Sequence, residues 1–332
     1  MKALLTNLFL FLLLLGLAGC GRSKPEQADT TNGELIPVTL QTDWFAQAEH
    51  GGFYQALAKG YYREAGLDVT LLQGGPNSMS LNKVLTGKAQ FAMNKADAVI
   101  DFGAQGLDVQ PVMAHFQHDP QALMLHADDP AQSISDLDGR SVMAIPGHTW
   151  IKYVEAQYGI DLKIVPHTFS LERFLSDPQF IQQCMVTNEP FYVRQAGQQV
   201  KTFPTATSGF DPYHVVYGQA EWIREHPDVV ERFVAASVRG WKDYLENDPS
   251  PAFDLIQQRN QQMSRALLAY GHDRIVRELL TSGHADQGEA VGQLDPRRLQ
   301  QLADQLRKLG IIPKGEGIPG FDPELVPASA RQ

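Results

Sequence analysis

Short apolar runs with a period of two alternate with longer runs of helical spacing along most of this chain. Ile36-Pro-Val-Thr-Leu-Gln reads as a strand and residues 43–50 as a loop. Residues 51–65 read as a helix with Tyr54, Leu57, Ala58 and Tyr61 on one face and Gly66 as its stop. Leu67-Asp-Val-Thr-Leu-Leu is a second strand, closed by Gly74-Gly75-Pro76. A helix at 80–88, a strand at 89–93, a helix at 97–104 and a strand at 109–115 complete a first βα cycle. A second cycle places strands at 123–126, 141–145, 163–166 and 180–186, with helices from His148 to Tyr158 and from Pro190 to Gly197. From Pro227 the pattern is helical only. Val230, Val234, Val238, Trp241 and Leu245 form a buried stripe, and Asp295-Pro296 opens a last helix carrying Leu299, Leu302, Leu306 and Leu309.

Such alternation predicts the α/β class, with two mostly parallel sheets flanked by helices. The expected boundaries are a first lobe at 36–120, a second at 121–218, and a helical section at 219–332 that returns to the first lobe. A cleft between the lobes is the expected site.

The opening residues change the expected location. Lys2 precedes an apolar stretch from Leu8 to Leu17, too short to span a bilayer and suited to a secretory signal. It ends in Leu17-Ala18-Gly19-Cys20, which resembles a bacterial lipobox, so residues 1–19 are expected to be removed and Cys20 lipidated. Residues 20–35 read as a polar tether reaching up to ~50 Å. An anchored protein of the cell envelope, periplasmic or otherwise extracytoplasmic, is the expectation. The other cysteine, Cys184, then has no disulfide partner, and its apolar surroundings predict a buried thiol.

Length and charge narrow the partners. At 332 residues with a formal charge of −10 and no basic run, the chain lacks the footprint that phosphate backbones require. Nucleic acid is therefore excluded as a partner, and a small molecule leads. No P-loop or GxGxxG is present, so no nucleotide cofactor is expected. His115, His118 and His126 lack carboxylate or cysteine companions at zinc spacing, and no metal is expected. Ser80 and Lys83 match the start of a serine–lysine nucleophile motif without its partner motifs.

The richest segment is the loop 43–53, which runs from a strand end to a helix start, where open α/β sheets bind ligands. It offers the aromatic faces of Trp44 and Phe53, the Asp43 carboxylate, the His50 ring, and two glycines, Gly51 and Gly52, that permit close backbone approach. The same aromatics also read as core, and His50 as a cap; the residues alone leave both readings open.

The segment DWFAQAEHGGFYQALAKGYYREAGLDV resembles the opening of the substrate-binding lipoproteins of ABC importers, in the sulfonate and thiamine-pyrimidine (NMT1/THI5-like) family. Further stretches fit in order, including Gly87 to Phe91, Leu137 to Val142, Val186 to Pro190 and Gly209 to Tyr213. The resemblance implies a two-lobed periplasmic-binding-protein fold of type II that clamps a small heterocyclic solute, as a monomer, for an ABC permease and its ATPase. It implies Trp44 as the stacking aromatic, His50 as a polar contact, Asn94 and Lys95 as cleft residues after the third strand, and Glu189 as the carboxylate receiving ring amino groups. Asp43, Phe53, Trp150, Asp211 and Tyr213 are further candidates for the ligand site, with lobe packing or the surface as their alternative. A thiamine-pyrimidine precursor is the expected solute; riboflavin, an aromatic sulfonate, taurine or nitrate are the alternatives. An anion receptor needs cationic cleft residues, and Lys95 is the evident one.

The family resemblance also extends to the eukaryotic pyrimidine synthase, in which a lysine after the third strand holds pyridoxal phosphate. Lys95 matches that lysine, but Val99 stands where the synthase has a histidine, and its cysteine-rich motif is missing. No enzyme activity and no cofactor are expected.

Overall fold

The computed structural model describes residues 34–331. The signal segment 1–19, the lipidation site Cys20 and residues 21–33 of the tether lie outside the described residues. No helix among the described residues is long and apolar enough to cross a membrane.

Among the described residues, ten strands form two sheets of five. The first lobe holds β1 (Ile36–Gln41), β2 (Leu67–Leu72), β3 (Phe91–Lys95) and β4 (Gln110–Phe116). The second holds β5 (Gln121–His126), β6 (Ser141–Ala144), β7 (Lys163–Pro166), β8 (Ile181–Met185) and β9 (Val200–Pro204). β10 (His214–Gly218) lies in the first sheet, so the orders are β2-β1-β3-β10-β4 and β7-β6-β8-β5-β9. β10 runs antiparallel to β3 and β4, and β5 runs antiparallel to β8 and β9. Each antiparallel strand is the one the chain enters directly from the other lobe, at residues 117–120 and 205–213. Coming from the cleft, it must run against strands that end at the cleft. Both sheets are thus mixed, with one reversed strand each.

Two expectations shift. The return to the first lobe falls before β10, not after residue 218, because His214–Gly218 supplies a fully buried strand between β3 and β4. The helix expected over 51–65 is two helices, Gly51–Ala58 and Tyr61–Glu64, divided by Gly60 in a left-handed conformation (φ 76°).

The long helix Pro227–Glu246 buries Val230, Phe233, Val234, Trp241 and Tyr244 against the first lobe. Its crossing with helix Gly51–Ala58 is close. A methyl group on Gly240 would sit 2.4 Å from the Gly52 carbonyl oxygen, and one on Gly52 would strike Trp241 at 2.1 Å. Gly51 and Gly52 therefore admit the rings of Tyr244 and Trp241, not a ligand. The helix Pro296–Lys308 is capped by Asp295, whose side chain accepts from Arg297 N–H, and buries Leu299, Leu302 and Leu306. The final residues return to the first lobe, where Leu294 N–H donates to Ala330 C=O at 3.0 Å.

Candidate functional site

A cavity of about 520 Å³ lies between the lobes, within the ~300–1,000 Å³ usual for small-molecule sites. Its walls are the strand ends that the topology aims at the cleft. From the first lobe come Asp43 and Trp44 after β1, Asn94 and Lys95 at the end of β3, His115 at the end of β4, and His214 at the start of β10. From the second come Ile145 after β6, His167 and Phe169 after β7, Met185 at the end of β8, and Glu189 opening a helix.

The first-lobe wall is wired by buried charge. His50, 1% exposed, donates from Nε2 to Asp43 Oδ1 at 2.8 Å. Burial opposes ionisation of Asp43, yet the His50 hydrogen bond and nearby imidazoles hold its carboxyl well below the usual range. With Nε2 bonded to Asp43, the other ring nitrogen of His50, Nδ1, is buried without a hydrogen-bond partner. Lys95 Nζ donates to Asp119 Oδ2 at 2.6 Å and to Gln121 Oε1 at 2.9 Å. Burial again opposes ionisation of Asp119, and Lys95 and His214 overcome it, holding that carboxyl low. Burial first, then the His214 charge, push His115 well below the ordinary histidine range, so it is a neutral ring.

The opposite wall carries a different kind of acid. Glu189 accepts Met185 N–H at 2.8 Å, but burial, reinforced by the charge of Glu49, pushes its carboxyl up to about 7. Burial also raises Glu49 and Asp97. Thr187, beside Glu189 in the chain, donates its hydroxyl to Glu49 across the lobes. His148 is pushed down to about 4 by burial and then by the charge of Lys95.

Five wall residues hold a buried polar atom with no protein partner: His50 Nδ1, Asp97 Oδ1, His115 Nδ1, Gln121 Nε2 and Trp150 Nε1. Each costs free energy unless a solute or water bonds it. The balance of charge is acidic, with Asp43, Glu49, Asp97, Asp101 and Glu189 against Lys95 and Lys152.

Seven sequence candidates come together here: Asp43, Trp44, His50, Asn94, Lys95, Trp150 and Glu189. Three do not line the cavity. Phe53 is fully buried, edge-on to Trp241 with ring centroids 5.6 Å apart. Asp211 faces away, bonded to His118 at 2.7 Å and to Arg298 at 3.1 Å. Tyr213 is buried beneath the Arg298 guanidinium, 4.2 Å from its ring centroid. The three histidines weighed as a metal set are scattered. His115 lines the cavity, His118 sits between Asp211 and Glu289, and His126 stacks on Phe174. Lys83 reaches Gln41, not Ser80, so the serine–lysine pair is not assembled. Cys184 is buried, and burial raises its thiol well above the usual range.

Sequence reasoning missed Glu49, Asp97, His115, His148, His167, Phe169 and His214. The signal was available for some: Phe169 follows a strand's carboxyl end, as Trp44 does. His214 is legible only once β10 is placed in the first sheet.

Comparison with known proteins fits this geometry. The family model described as NMT1/THI5 like matches residues 47–252. The riboflavin-binding protein RibY of Chloroflexus aurantiacus is 27% identical over 247 residues, 70% of each chain. The formylaminopyrimidine-binding protein of Halalkalibacterium halodurans is 23% identical over 296 residues, 86% of this chain and 88% of that one. Among solved structures, the aliphatic sulphonate binding protein SsuA of Escherichia coli superposes with a TM-score of 0.64 at 13% identity, covering 87% of this chain and 91% of that one.

Proposed function

Because the chain belongs to the NMT1/THI5-like family, we propose that it is the solute-binding protein of an ABC importer whose cleft captures a flat nitrogen heterocycle, first of all a thiamine-pyrimidine precursor. The observation that carries this reading is the ionic character of the cavity. Its one inner lysine is committed to Asp119, and acids outnumber cations on the wall. A sulfonate, taurine or nitrate would meet, among the described wall residues, only the exposed Lys152 as an uncommitted cation. A hydroxymethyl or formylaminomethyl pyrimidine offers a ring amino group to Glu189, a ring nitrogen to the Trp150 N–H, and a flat face to Trp44.

A second reading has its own support. A cavity of about 520 Å³ is roomy for a single ring, and the relative at 27% identity is named for riboflavin. The flavin is also planar and carries no formal charge.

The action is capture, not conversion. The lobes close on the solute, and the closed form docks on a permease served by a separate ATPase. Lys95 Nζ is held by Asp119 and Gln121, which leaves it a poor imine former. Pyridoxal phosphate added to the protein should give no imine absorbance. The lipobox around Cys20 supports a lipid-anchored, extracytoplasmic protein. Cys20→Ser should leave the membrane fraction or remain uncleaved, and identical fractionation of wild type and variant would remove the anchor.

Calorimetry with hydroxymethylpyrimidine, formylaminomethylpyrimidine, riboflavin and taurine tests the solute. One of the planar ligands should bind, and Trp44→Ala should weaken it by roughly tenfold to a hundredfold, the worth of ~1–3 kcal/mol of stacking. Tight taurine binding with an indifferent Trp44→Ala would refute the heterocycle.

A further inference from the structure

Phe169 is a bulky aromatic in a position that backbone sterics and water both disfavour. Its φ is 57°, in the left-handed region, and it is 54% exposed. The loop after β7 holds it there through one bond, in which Phe169 N–H donates to His167 Nδ1 at 2.9 Å. The His167 ring packs on the Phe169 ring with centroids 4.7 Å apart, and its Nε2 points to the Gln183 carbonyl at 3.4 Å. Burial lowers the His167 pKa, which keeps the ring neutral and Nδ1 free to accept.

The consequence of this posture is contact across the cleft. The Phe169 ring lies 5.3 Å from Trp44, centroid to centroid and tilted by 38°. Trp44 is itself edge-on to the exposed Phe45 at 5.6 Å. Two residues on separate lobes thus meet at the cavity wall that both line. With Thr187 and Glu49 they are ties that exist only while the lobes are together.

We infer that Phe169 is a second-lobe gate of the solute site, held ready by His167, which closes against Trp44 and sets how long a captured solute stays. The inference rests on the reading of the cleft as the solute site. A strained, exposed aromatic is retained where the strain serves a function. Here the left-handed turn projects the ring toward the first lobe, and His167 is the positioning residue that fixes the turn. An aromatic gate also favours flat solutes, which fill the space beneath two rings without parting them.

The test uses the full chain with riboflavin and hydroxymethylpyrimidine as probes, followed by stopped-flow tryptophan fluorescence. It is paired with a measurement that needs no ligand: the distance between spin labels at Lys88→Cys on the first lobe and Lys163→Cys on the second. Phe169→Gly keeps the turn without strain. It should leave the melting temperature no lower than wild type, raise the dissociation rate of whichever probe binds by about fivefold to tenfold, and lengthen the interlobe distance. His167→Ala should release the probe as fast as Phe169→Gly. His167→Asn should restore the slow rate, because an asparagine oxygen can accept the N–H two residues on. Loss of stability alone would not be rescued this way. If neither probe binds, the heterocycle reading fails, and the spin-label distance decides the gate by itself. An interlobe distance and release rate unchanged by Phe169→Gly would overturn the proposal.

Discussion

A carboxyl held near neutrality is the most informative single residue in the cavity. Glu189 opens a helix and accepts a backbone N–H, both of which favour its charged form, yet burial pushes it up to about 7. The folded state prefers the protonated acid, so the stabilising contribution is complete below about 4.5 and is lost as pH rises to about 7. Glu189→Gln should therefore match wild type in unfolding free energy near pH 4 and exceed it at pH 8, by on the order of 3 kcal/mol. Parallel melting curves across that range would show Glu189 to be solvated. Binding should move the other way in the same window. A ring amino group is held best by the ionised acid, so affinity for an aminopyrimidine should rise from pH 5 to pH 8, and Glu189→Gln should flatten that rise. The residue type and its place in "TNEP" were legible in the sequence. Its titration was not, because it depends first on burial and then on long-range neighbours such as Glu49, 140 positions away in the chain.

Elements were legible where their period was long and their ends were marked. Helix Pro227–Glu246 carries its proline at the start and its apolar stripe throughout, and helix Pro296–Lys308 is bracketed by Asp295 and Gly310. The five residues of β10 gave no such signal. A fully buried strand shows no alternation, and its placement between β3 and β4 is a long-range fact about pairing. Gly51 and Gly52 were misleading for a related reason. Their small size was read as room for a ligand, but the object they admit is another element, the helix bearing Trp241 and Tyr244. That crossing makes a sharp prediction. Gly240→Ala would place a methyl group 2.4 Å from the Gly52 carbonyl oxygen and 2.5 Å from the Ala56 Cβ, with no flexible side chain to yield. The variant should lose about 1–3 kcal/mol by denaturant melting, the usual range for overpacking, while Gly87→Ala, which meets nothing within 4 Å, should lose only its backbone strain.

Across the whole molecule, the two chain crossings at 117–120 and 205–213 join the lobes. Arg298, from the last long helix, donates to the carbonyls of Gln117 and Asp211, one on each crossing. The same guanidinium pairs with Asp211 at 3.1 Å and with Glu289 at 2.8 Å, and His118 bonds both acids from the other side at 2.7 and 3.0 Å. The helical C-terminal section thus acts on the cleft from behind, without lining it through this network. Burial opposes protonation of His118, and the carboxylates of Asp211 and Glu289 overcome burial and the repulsion of Arg298, so its pKa is raised. A histidine raised in the folded state contributes stability that is complete below its unfolded pKa of about 6.5 and is lost as pH rises through the folded value. Wild type should therefore soften above pH 6.5 more steeply than His118→Asn, which keeps hydrogen-bonding capacity but cannot titrate. Arg298→Ala should cost about 2–3 kcal/mol, because it leaves Asp211 and Glu289 partly buried beside a single imidazole. If instead His118→Asn and wild type soften in parallel, the network is solvated and the crossings are held by their backbone alone. A steeper wild-type curve would make the lobe crossings, like the Glu189 wall, a part of the protein whose stability is set by pH.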